Sequence, residues 1–136
     1  MKKEIQSAYI VDDESLARYS LNRKLEHFSD IQVIGEADSV SSPVREIPLL
    51  NPEILFLDIQ LTDGTGFDIL NKLEYPGKVI FITAFDDYAI RAFEINALDY
   101  LMKPISVERL GTALKRLEIK NDSWIVSSSG TFRNDD

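Results

Sequence analysis

Glu53-Ile54-Leu55-Phe56-Leu57-Asp58 is a near-continuous apolar run that ends in a carboxylate. A strand with one wet face alternates polar and apolar side chains. This one does not, so it belongs in a sheet covered on both sides. Ser7 to Val11, Lys78 to Thr83 and Leu98 to Met102 have the same character, and Ile31 to Ala37 is a further strand candidate. Between these runs the apolar residues recur at helical spacing: Ala17, Leu21, Leu25 and Phe28, then Phe67, Leu70 and Leu73, then Tyr88 to Glu94, then Val107, Leu110, Leu114 and Leu117. Ser39 to Leu50 is predicted as another helix, with Pro43 fitting its first turn and Pro48 breaking or distorting it. Strands alternating with helices through about 120 residues predict an α/β fold, a doubly wound five-stranded parallel sheet. Ligands bind such sheets at the carboxyl ends of the strands.

The bulk properties agree with one such domain. The chain has 136 residues, 44% of them hydrophobic and 28% charged, which is ordinary for a globular protein with a single core. It has no cysteine, which excludes disulfides and thiolate metal sites, and its one histidine, His27, cannot build a histidine-rich metal site. A formal charge of −8 argues against direct nucleic-acid binding by this segment. No apolar run reaches the length of a membrane span. Met1-Lys2-Lys3-Glu4 leads into a strand rather than into a secretion leader, so a cytoplasmic location is expected. The helical pattern fades near Lys120. Asn121-Asp122 is turn-like, Ser123 to Val126 could begin a strand, and Ser127-Ser128-Ser129-Gly130 is polar. The expected organisation is a domain over 1–120 and a linker over 121–136, the start of a further domain.

The chemistry gathers at the strand ends. Asp12 and Asp13 follow the first strand, Asp58 ends the third, Thr83 the fourth and Lys103 the fifth. In a doubly wound sheet these ends open onto one edge. Three carboxylates brought together disfavour full ionisation unless a cation or proton joins them. With only oxygen donors, the natural cation is Mg²⁺. Lys103 adds a positive charge and three donors, and Thr83 a hydroxyl. A metal, an oxygen nucleophile and donors for equatorial oxygens are the parts of phosphoryl transfer. Each residue alone has a plainer reading: a helix cap for the aspartate pair or for Thr83, a turn for Asp58, an exposed lysine before a proline. Their joint placement at successive strand ends favours the functional one.

Val11-Asp12-Asp13-Glu14, Phe56-Leu57-Asp58, Phe81-Ile82-Thr83-Ala84 and Tyr100-Leu101-Met102-Lys103-Pro104 resemble the signature segments of response-regulator receiver domains, in order, from about Glu4 to Ile119. Tyr88 to Glu94 together with Ala97 to Leu101 resembles the receivers of LytTR (LytR/AlgR-type) transcription regulators. The resemblance implies the flavodoxin-like (βα)5 receiver fold of a two-component phosphorelay, with Asp58 as phosphoacceptor. It implies Mg²⁺ held by Asp12, Asp13, Asp58 and the Gln60 backbone carbonyl, and a phosphoryl group bound by Lys103, Thr83 and the Ala84 amide. Tyr100 would swing inward as a switch, although an ordinary half-buried strand aromatic is the plainer reading. Lys103-Pro104 would be a cis peptide. Gln60 and Phe85 stand at positions that influence phosphoryl lifetime in that family. The implied partners are a sensor histidine kinase, a second copy through the fourth helix, fifth strand and fifth helix, and DNA only through a C-terminal output domain missing here.

Other signals are weak. Gly64-Thr65-Gly66 lacks the third glycine of a dinucleotide fingerprint and reads as a turn. Arg109, Lys115, Arg116 and Lys120 read as a solvated helix face. Asp58-Ile59-Gln60-Leu61-Thr62 partly resembles the aspartate motif of haloacid-dehalogenase-type phosphatases, but Gln60 stands where those enzymes carry a general acid. A phosphohydrolase and an interaction module with a vestigial pocket are the two competing readings. The expectation is a phosphoacceptor that catalyses only its own phosphorylation and dephosphorylation, not a turnover enzyme.

Overall fold

A computed structural model describes residues 4–127. The elements run β1 (Gln6–Val11), α1 (Ser15–Leu25), β2 (Ile31–Ala37), α2 (Ser41–Leu50), β3 (Ile54–Leu57), β4 (Gln60–Leu61), β5 (Gly64–Thr65), α3 (Gly66–Lys72), β6 (Lys78–Thr83), α4 (Ala89–Glu94), β7 (Asp99–Met102) and α5 (Val107–Ser127). The main sheet has the order β2-β1-β3-β6-β7, with every pair parallel. This is the predicted doubly wound, flavodoxin-like sheet. Strand order reverses between β1 and β3, so the crevice for a ligand opens at the ends of those two strands.

The lack of polar alternation in β3 has a direct cause. Ile54 and Phe56 enter the core beneath α1 and α5, with Ile10, Leu21, Leu25, Ile80, Ile82, Leu110 and Leu114. Leu55 and Leu57 enter the core on the other face, with Tyr9, Val11, Ile47, Phe67, Ile69, Phe81 and Ala92. All four β3 side chains are buried, and the strand ends where Asp58 turns out of the sheet.

Three expectations need correction. Pro48 does not break α2, which runs on to Leu50. The proline stands two residues from the helix end, so it leaves only the Val44 carbonyl without its donor. The helix then stops at Asn51, whose φ of 50° is left-handed and whose N–H bonds the Ile47 carbonyl, just before Pro52. Pro43 is buried in the first turn, as expected. Second, the last helix does not fade at Lys120 but continues to Ser127, so Ser123 to Val126 is helix and not strand. Ser128-Ser129-Gly130 and the remainder of the expected linker lie outside the described residues. Third, Gly64-Thr65 is more than a turn: it pairs antiparallel with Gln60-Leu61. Thr65 then caps α3 in a reciprocal box with Asp68.

Candidate phosphoryl-transfer site

Asp12 follows β1 and Asp58 follows β3, and both are buried, at 6% exposure each. Asp13 beside them is exposed. One carboxylate oxygen from each of the three lies within 4.8 Å of the others. Lys103, which follows β7, reaches between them: its Nζ is 2.8 Å from Asp12 Oδ2 and 2.8 Å from Asp58 Oδ2. The Lys103 amide donates to the Thr83 carbonyl at 2.8 Å, which ties the lysine to the end of β6. The Lys103-Pro104 peptide is cis, as the sequence resemblance implies.

The other oxygens of the two buried carboxylates are satisfied locally. Asp58 Oδ1 accepts from the Ile59 amide at 2.6 Å, and Asp12 Oδ1 from the Glu14 amide at 3.0 Å. Glu14 is the N-cap residue of α1, so the aspartate pair is not the helix cap that its sequence allowed. Arg18 carries no sequence signal of its role. It donates to the Asp12 carbonyl at 2.7 Å while pairing with Glu36 at 2.8 Å, and so fixes the backbone that presents Asp12.

The charges do not balance. Three carboxylates face one ammonium. Burial pushes the Asp12 carboxyl above its ordinary range, and the Lys103 and Glu14 bonds only partly oppose this. Burial alone would lower Lys103, but its bonds to Asp12 and Asp58 prevail and raise it. The two shifts have different causes, burial on Asp12 and the two carboxylate partners on Lys103. An all-oxygen donor set with spare negative charge fits Mg²⁺.

Thr83 is fully buried at the end of β6, and its Oγ1 accepts from the Phe85 amide at 3.4 Å. It stands six residues before α4 begins and is not that helix's cap. Ala84 follows it and is exposed. Gln60 turns its carboxamide away from the carboxylates, donating to the Tyr88 hydroxyl at 3.0 Å. Tyr100 is half-buried and donates its hydroxyl to the Phe85 carbonyl. Its ring lies 6.1 Å from that of Phe81. Asp12, Asp13, Asp58 and Lys103 therefore meet in one cluster, with Thr83 and Ala84 on the neighbouring strand end and Tyr100 one strand further out.

One reading of the sequence was wrong about surface charge. Arg109 and Arg116 on α5 are not simply solvated. Arg109 binds Asp99 through two bonds of 2.9 Å, and Arg116 Nε lies 3.0 Å from the same carboxylate. Sequence alone gave no signal for this, because the three residues meet only once α5 packs beside β7.

Comparison with known proteins agrees with this fold. The profile of the response regulator receiver domain family matches residues 8–115. The sensory transduction protein LytT of Bacillus cereus is 44% identical over 119 residues, covering 85% of this chain and 48% of the relative. The transcriptional regulatory protein BtsR of Escherichia coli K12 is 42% identical over 120 residues, covering 87% and 50%. The chain thus spans about half the length of the curated relatives it matches. Among solved structures, the signal receiver domain of a modulated diguanylate cyclase from Desulfovibrio desulfuricans G20 superposes with a TM-score of 0.75 at 28% identity, covering 89% of this chain and 98% of that one. The response regulatory domain of protein mrkE from Klebsiella pneumoniae gives 0.73 at 27% identity, covering 84% and 96%.

Proposed function

Because this chain belongs to the response regulator receiver domain family, we propose that it accepts a phosphoryl group on Asp58 from a sensor histidine kinase. The observation that carries this reading is the Lys103 ammonium, 2.8 Å from both Asp12 and Asp58 in a pocket that still holds excess negative charge. Asp12, Asp13 and Asp58, with the Gln60 carbonyl, would hold Mg²⁺. The bound metal would neutralise charge on the incoming phosphoryl group.

An Asp58 carboxylate oxygen attacks phosphorus, an O–P bond forms, and the P–N bond of the donor phosphohistidine breaks with the electron pair returning to the imidazole. Lys103 exchanges its bond to Asp58 Oδ2 for one to a phosphoryl oxygen. The Thr83 hydroxyl, freed from the Phe85 amide, and the Ala84 amide supply further donors. Tyr100 follows the loop through its bond to the Phe85 carbonyl. The phosphoryl group leaves by hydrolysis on the same residues, so the domain is a self-limited phosphoacceptor rather than a turnover enzyme.

The output face is α4, β7 and α5. Ile90 and Phe93 on α4 are 77% and 82% exposed, Met102 on β7 is exposed as well, and this apolar surface suits a second copy of the chain. The relatives' names and their length support a C-terminal, LytTR-type DNA-binding output in a cytoplasmic transcription regulator, with residues 1–120 as the receiver and the chain beyond as the connection to it. Among the described residues no helix is long and apolar enough to cross a membrane.

Intact mass after incubation with Mg²⁺ and acetyl phosphate tests the central claim. One added phosphoryl group, absent without Mg²⁺ and absent in Asp58→Asn, is the expected result. A phosphorylated Asp58→Asn variant would overturn the assignment.

A further inference from the structure

The short helix α4 has a single buried residue, Ala92. Its start is held by aromatic contacts: the Tyr88 ring lies 6.0 Å from Phe67 and 6.5 Å from Phe85, and the Arg91 guanidinium sits 4.0 Å over Phe67. Among the described residues, one side-chain hydrogen bond joins segment 58–65 to segment 84–94, and it is Gln60 Nε2 to the Tyr88 hydroxyl. The path behind Gln60 is short. Asp58 Oδ1 accepts from the Ile59 amide at 2.6 Å, and the next residue along the chain is Gln60. A group added at Oδ1 displaces that bond, and one added at Oδ2 weakens it by removing the carboxylate's charge; either change acts on the Ile59 amide, one residue before Gln60.

We propose that Gln60 and Tyr88 are a positioning pair that carries the state of the Asp58 site to α4, alongside Thr83 and Tyr100, whose loop Tyr88 meets at Phe85. Tyr88 is the residue on which α4 begins, so a displaced Gln60 pulls or releases the first turn of the helix that presents Ile90 and Phe93. The pair matters because α4 has so little else to fix it: a contact worth about two- to tenfold in an equilibrium is a large share of what holds a six-residue helix. The inference rests on Asp58 being the phosphoacceptor.

Hydrogen exchange on the full chain tests it, with Mg²⁺ and beryllofluoride as the phosphoryl stand-in. In wild type, beryllofluoride changes exchange across residues 86–95. Tyr88→Phe keeps the ring on Phe67 and loses only the hydroxyl; Gln60→Leu removes the other end. Each variant is expected to lose about half or more of the α4 response while residues 98–103 still respond, and the double variant to lose no more than either single one. A full α4 response in both single variants would overturn the pair, and so would losses that simply add. A wild type indifferent to beryllofluoride would instead overturn the phosphoacceptor reading, and the pair would fall with it.

Discussion

Gly66 stands so close to Asp58 that a Cβ at position 66 would overlap the Asp58 carbonyl oxygen and lie 2.9 Å from the Leu57 side chain. Its amide also donates to the Ile59 carbonyl at 2.8 Å. The start of α3 is thus pressed against the loop that presents the phosphoacceptor. Gly66→Ala must push that backbone aside, since neither a carbonyl nor a buried leucine can yield cheaply. The expected outcome is a loss of about 1–3 kcal/mol in urea unfolding, together with slower phosphorylation by acetyl phosphate. Full stability in the variant would show that the loop can shift freely.

Lys103 occupies the place where a metal would exert its charge. Removing it with Lys103→Met leaves Asp12, Asp13 and Asp58 without a compensating cation, so Mg²⁺ meets less competition. Mg²⁺ affinity, followed by intrinsic fluorescence, should rise by about tenfold, equivalent to about 1.4 kcal/mol. Phosphorylation should fall steeply in the same variant, since the phosphoryl group loses its ammonium. A fall in both would mean that Lys103 organises the carboxylates rather than competing for them.

Asp12 makes stability depend on pH in an unusual direction. Its pKa in the fold is raised, chiefly by burial, so between the unfolded and folded values the folded state holds more protons. Stability from this group therefore falls as pH rises through that window, and its ionisation weakens the metal-free protein at neutral pH. Without Mg²⁺, Asp12→Asn should melt a few degrees higher than wild type at pH 7. The gap should close as pH drops below the ordinary carboxylate range near 4. Saturating Mg²⁺ should reverse the order, because only wild type offers the carboxylate to the metal. Equal melting temperatures at both pH values would refute the account.

The parts of this site that the sequence revealed are those fixed by strand ends. Asp12, Asp58, Thr83 and Lys103 each close an apolar run, and a parallel sheet brings such ends together whatever the helices do. What stayed hidden depends on partners chosen in three dimensions. Arg18 finds the Asp12 carbonyl, Gln60 finds Tyr88, and Asp99 finds two arginines, and none of these pairs has a spacing signature. The β4–β5 hairpin was too short, at two residues a strand, to show a period. Pro48 was misleading because a proline near a helix end sacrifices one hydrogen bond, which solvent can replace at an exposed position. Asn121-Asp122-Ser123 misled in the opposite sense: low helix propensity did not stop α5, which runs on to Ser127.

The clasp on Asp99 gives a last prediction. Its side chain is only 9% exposed, yet it takes two hydrogen bonds from Arg109, an ion pair from Arg116 and the Tyr100 amide at 2.8 Å. It therefore fastens α5 to the start of β7, one residue before Tyr100. Arg109→Ala removes the two-pronged partner and leaves a nearly buried carboxylate with Arg116 alone. Both arginines are about half exposed, which screens part of the effect, so the expected loss is about 1–2 kcal/mol. Asp99→Asn in the Arg109→Ala background should recover part of it, because the uncompensated charge is gone. Urea unfolding of the two single variants and the double variant measures this directly. Strictly additive losses would mean that the carboxylate is held by its backbone bonds and that the arginines are ornamental to the fold.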